Sequence, residues 1–139
     1  MANKGPHEKG YVIVGVADKQ ADAEKFKQIY GVDFKTVRGH EFPITGVQEE
    51  VKRYKNGYEG YLSKIKSIIK KEPIEPKIID NILSSLQLVS YYGRDLLIFE
   101  IEAGSEVTLY DNDIYIRSIN SVEKVTGTQA IIGVVSRFK

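Results

Sequence analysis

The chain has 139 residues, with 20 bases, 19 acids, a net charge of +1 and no cysteine. That length supports a packed core without covalent staples, and the lack of cysteine excludes disulfides, thiolate metal sites and cysteine nucleophiles together, as suits a reducing compartment. The opening MANKGPHEKG is too polar for a signal peptide, and the longest clean apolar run, Tyr11 to Ala17, falls far short of the ~20 residues of a membrane span, so a cytoplasmic protein with no membrane partner is expected.

In chain order, 10–16 reads as a buried strand, continuous in apolar residues and bounded by Gly10 and Asp18. The period then changes, and 18–30 is a predicted helix with Phe26, Ile29 and Tyr30 on one face. Asp18 or Asp22 is placed to cap it, and Gly31 suits its C-terminal end. Short strands are expected at 33–37 and 41–42, around a turn at Arg38-Gly39-His40. Thr45 and Gln48 have capping-box spacing. A stripe of Val47, Val51, Tyr54, Tyr58, Leu62, Ile65 and Ile69 follows in steps of three or four, as on one face of a helix. Asn56-Gly57 and Gly60 interrupt it, which predicts two helices as readily as one, and Pro73 and Pro76 end it. Residues 78–83 read either as a helical turn or as the lead into a strand. Strands at 86–92 and 95–102 flank Gly93-Arg94, a pairing that predicts a type II′ hairpin. A second hairpin joins 107–110 to 114–117 through Asp111-Asn112-Asp113. Thr126 and Gln129 repeat the capping-box spacing before a last helix that would bury Ala130, Ile131, Val134, Val135 and Phe138. The expectation is one α+β domain over 1–139, a mixed or antiparallel sheet with hairpins packed by flanking helices, carrying an extended helical insertion at about 45–83.

Charge is unevenly distributed. Between Lys52 and Lys71 seven bases face one acid, Glu59; between Ile78 and Ile116 seven acids face one base, Arg94. A basic stretch of this kind is either a solvated face or the footprint of a polyanion site. Tyr54, Tyr58 and Tyr61 alternate with Lys52, Arg53, Lys55, Lys64 and Lys66. Bases of this sort neutralise phosphates, and aromatic rings stack on unpaired bases. Tyr54 and Tyr58 lie on the apolar stripe and are assigned to the core, which leaves Tyr61 as the exposed ring.

Common catalytic patterns are absent: there is no phosphate-binding G-x-x-x-x-G-K-[ST], no G-x-G-x-x-G, no G-x-S-x-G, and His7 and His40 belong to no metal-ligating cluster. Glu100 and Glu102 are two apart on a predicted strand and so share a face. They are either its wet side or a pair able to hold Mg²⁺ or Mn²⁺ with Asp18. Asp18, just past the first strand, is otherwise a helix cap.

Three stretches together resemble the schlafen AlbA-like domain, a class associated with DNA binding. They are Ala2-Asn3 with Gly10-Tyr11-Val12-Ile13-Val14-Gly15-Val16-Ala17-Asp18, then Gly93-Arg94-Asp95-Leu96-Leu97-Ile98-Phe99-Glu100-Ile101, then Tyr115-Ile116-Arg117-Ser118 through Thr126. The resemblance implies a mixed sheet flanked by helices, nucleic acid as ligand, a homodimer, and Arg117 on the sheet at the family's Y-x-R position. Animal schlafens cleave RNA with three acids, of which only Asp18 carries over; the two upstream glutamates would precede Met1, so the chain is expected to be one domain of a longer protein.

The function expected from sequence is a backbone-directed nucleic-acid-binding module without a cofactor. Its binding residues are Lys52, Arg53, Lys55, Tyr61, Lys64, Lys66, Lys70, Lys71 and Arg117. The alternatives are a Mg²⁺- or Mn²⁺-dependent ribonuclease using Asp18 with Glu100 or Glu102, and a protein-interaction or dimerisation domain using the 51–69 stripe.

Overall fold

A computed structural model describes residues 2–39, 41–119 and 121–139. Among them are strands β1 (Lys9–Val14), β2 (Gln87–Tyr91), β3 (Arg94–Glu102), β4 (Leu109–Tyr110), β5 (Asp113–Arg117) and β6 (Val122–Lys124). The helices are α1 (Gln20–Tyr30), α2 (Gln48–Val51), α3 (Gly57–Ile69), α4 (Pro76–Ser84) and α5 (Thr128–Val135), the last followed by a 3₁₀ turn, Ser136–Phe138. Two three-stranded sheets have the orders β1-β3-β2 and β4-β5-β6. The fold class is α+β, as expected. The chain separates into two compact units: unit 1 comprises Met1–Val12, Ile68–Leu86 and Phe99–Lys139, and unit 2 comprises Ile13–Ser67 and Gln87–Ile98.

Unit 2 is organised on the β2–β3 hairpin, antiparallel with Tyr91 opposite Arg94. Its loop is therefore Tyr92-Gly93, not Gly93-Arg94, and both residues have positive φ (49° and 73°). Positive φ at both central positions defines type I′, whose twist matches the flanking strands. The expected type II′ turn is thus off by one residue. Leu96 and Leu97 of this hairpin are buried with Ala23, Ile44, Val47, Val51 and Tyr61.

Close backbone approach and the ends of α1 shape the rest of unit 2. Gly15, at φ 103°, accepts from the N–H groups of Thr45 (3.0 Å) and Gly46 (2.9 Å). A Cβ at Gly15 would lie 2.9 Å from Leu96 Cδ2 and 3.1 Å from Gly46 Cα, so only glycine fits there. Helix α1 begins after Lys19 with no side-chain cap, so neither Asp18 nor Asp22 caps it; Asp22 instead lies in the first turn, where a carboxylate favours the helix dipole. Gly31 ends α1 as expected, its N–H donating to Lys27 O. Ile29 is exposed and Ala23 is the buried residue of α1. Of the expected strand at 33–37 only the isolated bridge Lys35–Ile44 is present, and 41–42 is a bend without strand pairing; Ile44 also bridges Val16. His40, in the expected turn, lies outside the described residues.

The capping box at Thr45 is not formed. Helix α2 is preceded by Val47, and the Gln48 amide donates to Gly93 O (3.1 Å) instead. Of the two readings of this segment, one helix or two, the structure has two, α2 and α3, separated by 52–56. Pro76 starts α4 at its first turn, where its missing N–H costs nothing, and 78–83 is helical.

Unit 1 carries the β4-β5-β6 sheet. Asp111-Asn112 closes β4 onto β5 with both residues at positive φ, the conformation Asp and Asn tolerate best. β6, which sequence patterning does not reveal, pairs with β5 so that Arg117 faces Val122. Asn3 is the one buried polar or charged residue among those described. Its amide donates to Thr108 O (2.8 Å) and Tyr115 O (3.0 Å) and accepts from Thr108 N–H (2.8 Å), so it pins the start of the chain to the sheet. Thr126 does not cap α5, which starts behind Gly127. That helix buries Val134; Val135 and Phe138 are half-buried, while Ala130 and Ile131 are exposed, contrary to expectation. β1 is also not buried: Tyr11, Val12 and Ile13 are 54, 40 and 49% exposed. An apolar run does not say whether a strand has a neighbour on each side, and in this sheet β1 lies at the edge.

Candidate nucleic-acid interface

The basic stretch resolves into cations with different partners. Lys52 is held by the carboxylate of Glu49 (2.7 and 2.9 Å), and the Arg53 guanidinium lies over the Tyr30 ring, 4.6 Å from its centroid. Their charge is committed locally. Lys55, Lys64 and Lys66 are exposed and make no ion pair among the described residues of unit 2.

Helix α3 sets the direction of two of these. At about 100° per residue, Lys66 and Lys64 bound a solvent-facing arc of about 160°, with Ser63 and Ser67 between them and Glu59 of the first turn on the same face. The opposite side carries Tyr58, Tyr61 and Ile65, half-buried or buried. Lysine ammonium groups and serine hydroxyls together are the usual contacts to a phosphate backbone.

Tyr61 is not the exposed ring of the sequence reading. It is 4% exposed, packs edge-on against Tyr54 with centroids 5.5 Å apart, and donates to Glu50 Oε2 at 3.1 Å. It follows Tyr58 by three residues and Tyr54 by seven, so the helical period itself placed it on the buried face. Burial and the Glu50 carboxylate push its phenol well up. Tyr58 donates to Asp95; burial, then that carboxylate, push its pKa up to about 12. These two phenols anchor α3 to α2 and to the β2–β3 hairpin.

Lys70, Lys71 and Arg117 belong to unit 1. Lys70 and Lys71 are exposed, just beyond the end of α3. Arg117, the last residue of β5, lines a cavity of about 430 Å³ with Lys4, Lys9 and Arg137. These companions were missed from sequence, because three segments far apart in the chain supply them and no short motif joins them.

Glu100 and Glu102 do share a face, and Lys9 occupies it. Its ammonium is 2.7 Å from Glu100 and 3.9 Å from Glu102, with His7 Nδ1 3.8 Å from Glu102. The Lys9 hydrogen bond, with one from Tyr11, holds the Glu100 carboxyl below the usual carboxylate range, and Glu100 raises Lys9 in turn. A cation partner is thus already supplied by the chain. Asp18 belongs to unit 2 and is exposed. Among the described residues no three His, Asp or Glu side chains are grouped to hold a metal ion.

No helix among the described residues is long and apolar enough to cross a membrane. Neither a family model, nor a curated protein, nor a solved structure matches the chain.

Proposed function

We propose that this chain is a nucleic-acid-binding module that engages the phosphate backbone through Lys55, Lys64 and Lys66, within the setting of a microbial regulatory or defence protein. The observation that carries this reading is the solvent arc of α3, where Lys64 and Lys66 flank two serines and neither lysine forms an ion pair among the described residues, although exposed Glu59 lies one to two turns back on the same face. The resemblance to the schlafen AlbA-like domain points to the same ligand, and the α+β fold is compatible with that assignment. Recognition is of charge and shape, since neither a recognition helix of the helix-turn-helix kind nor a zinc module is present to read base edges.

The test is fluorescence anisotropy with labelled single-stranded RNA, hairpin RNA and duplex DNA over a salt series. Binding should weaken steeply with salt, and Lys64→Ala with Lys66→Ala should flatten the log–log slope by roughly 0.7–0.9 per lysine. Equal binding at low and high salt, or an unchanged slope in the double variant, would sink the proposal. Cleavage of the RNA on adding Mg²⁺, abolished by Asp18→Ala, would replace it with the ribonuclease reading.

One observation favours a second reading, protein interaction. The 51–69 stripe faces inward, but unit 2 has an apolar cavity of about 290 Å³ lined by Ile13, Val16, Phe42, Ile44, Leu96 and Ile98, with Ile13 and Phe42 each 49% exposed. Concentration-dependent sedimentation abolished by Phe42→Ser would support it; a strict monomer would remove the homodimer.

A further inference from the structure

The cavity of unit 1 that Arg117 lines has a composition the α3 surface lacks. Its polar wall holds four cationic side chains, Lys4, Lys9, Arg117 and Arg137, and no carboxylate. The two lysines are partly compensated from behind, Lys9 by Glu100 and Glu102, Lys4 by Glu8 at 4.0 Å. The two arginines have no acidic partner among the described residues. Arg137 donates from Nη1 to Asn3 O (3.3 Å), which leaves its other donors free. The Arg117 guanidinium makes no hydrogen bond or ion pair with the described residues.

We propose that this cavity is a phosphate-binding site for a nucleotide-sized ligand bearing a phosphate monoester. Two guanidinium groups present planar forks that match phosphate oxygens in pairs, and a dianion uses both, whereas a carboxylate is satisfied by one. The volume of about 430 Å³ exceeds what a single phosphate needs and lies in the range of small-molecule sites. Ile119, 91% exposed, also lines it. An apolar edge beside a cationic floor suits a ligand with a phosphate at one end and a sugar or base at the other.

The frame is preorganised. Arg117 is set by its register opposite Val122, and the loop beyond is closed by Ser118 N–H to Ser121 O (2.9 Å). Arg137 is tethered to the backbone of Asn3, whose own side chain is fixed on Thr108 and Tyr115. Fixing the backbone that carries Arg117, and the Arg137 side chain itself, before the ligand arrives lowers part of the ordering cost of association. The site does not rest on the α3 reading, because every residue it uses lies in unit 1.

Isothermal titration with adenosine monophosphate, adenosine and inorganic phosphate tests the proposal. Adenosine monophosphate should bind saturably, adenosine should not, and Arg117→Gln should weaken the former by about tenfold or more, as expected for losing a charge-assisted pair. Arg117 is exposed, so this variant keeps the fold, which an unchanged urea midpoint verifies. Lys64→Ala with Lys66→Ala should leave the titration unchanged, separating this site from the α3 surface. A terminally phosphorylated oligonucleotide competing better than its hydroxyl-ended twin, through Arg117, would identify a nucleic-acid end as the source; competition no better than the mononucleotide would identify a free nucleotide. Equal binding of adenosine and its monophosphate, indifference to Arg117→Gln, tighter binding of inorganic phosphate than of the nucleotide, or no saturable binding at millimolar ligand would each overturn the proposal.

Discussion

Units 1 and 2 face the same problem, fixing distant segments through polar groups taken out of water, and they use different chemistry. Unit 2 ties α3 with two phenols, Tyr58 to Asp95 and Tyr61 to Glu50, so both ties contain ionisable groups. Unit 1 ties its first residues to β4 and β5 through the neutral amide of Asn3. Its charged pairs, such as Lys9–Glu100 and Lys124–Asp113, lie at the surface. A neutral amide holds at any pH, whereas a phenol–carboxylate pair is a donor and acceptor only while the phenol keeps its proton.

The sharpest way to break this contrast is Asn3→Ala. It orphans two carbonyls and one N–H, and should cost about 3 kcal/mol, read as a shift in the urea midpoint, with the Thr108 amide exchanging faster. A loss under about 1 kcal/mol would mean water replaces the amide and unit 1 is held elsewhere. Tyr61→Phe should cost less, about 1 kcal/mol, since Glu50 keeps access to water. For Tyr58 the distinguishing readout is pH. An unfolded tyrosine loses its proton near 10, while Tyr58 in the fold keeps it to about 12. Between those values unfolding releases a proton, so stability is whole below pH 10 and falls as pH rises toward 12. Tyr58→Phe should flatten that alkaline limb, and Asn3→Ala should leave it intact. The smallest effect belongs to Lys9→Ala. Glu100 is held below the usual range by Lys9, so its contribution is present above the ordinary carboxylate pKa and fades as acid protonates it. Removing Lys9 should raise the Glu100 carboxyl in an NMR titration with little change in stability, as for an exposed pair.

Elements governed by local chemistry were readable from sequence. The turn at Asp111-Asn112 and the Gly31 helix end depend on what those residues tolerate, and both occur; around Asn56-Gly57, where one helix or two fitted equally, there are two. Features decided by tertiary partners were not. Tyr92 occupies a positive-φ position that a tyrosine does not favour, and nothing within 92–94 announces the one-residue shift of the loop. Thr45 and Gln48 have capping spacing, yet Gly93 claims the Gln48 amide from 45 residues away. The candidate interface was readable as a charge run, but which lysines are free depends on Glu49 and Tyr30, and the cavity around Arg117 depends on residues at both ends of the chain.

The Asn3 clamp also orders events during synthesis. Everything unit 2 contains has left the ribosome once residue 98 is out, so that unit can fold while translation continues. Asn3 is made well before its partners Thr108 and Tyr115, which follow 105 and 112 residues later. Until they emerge the Asn3 amide has no partner, so the segment ahead of β1 is fixed only after all of unit 2 has been made.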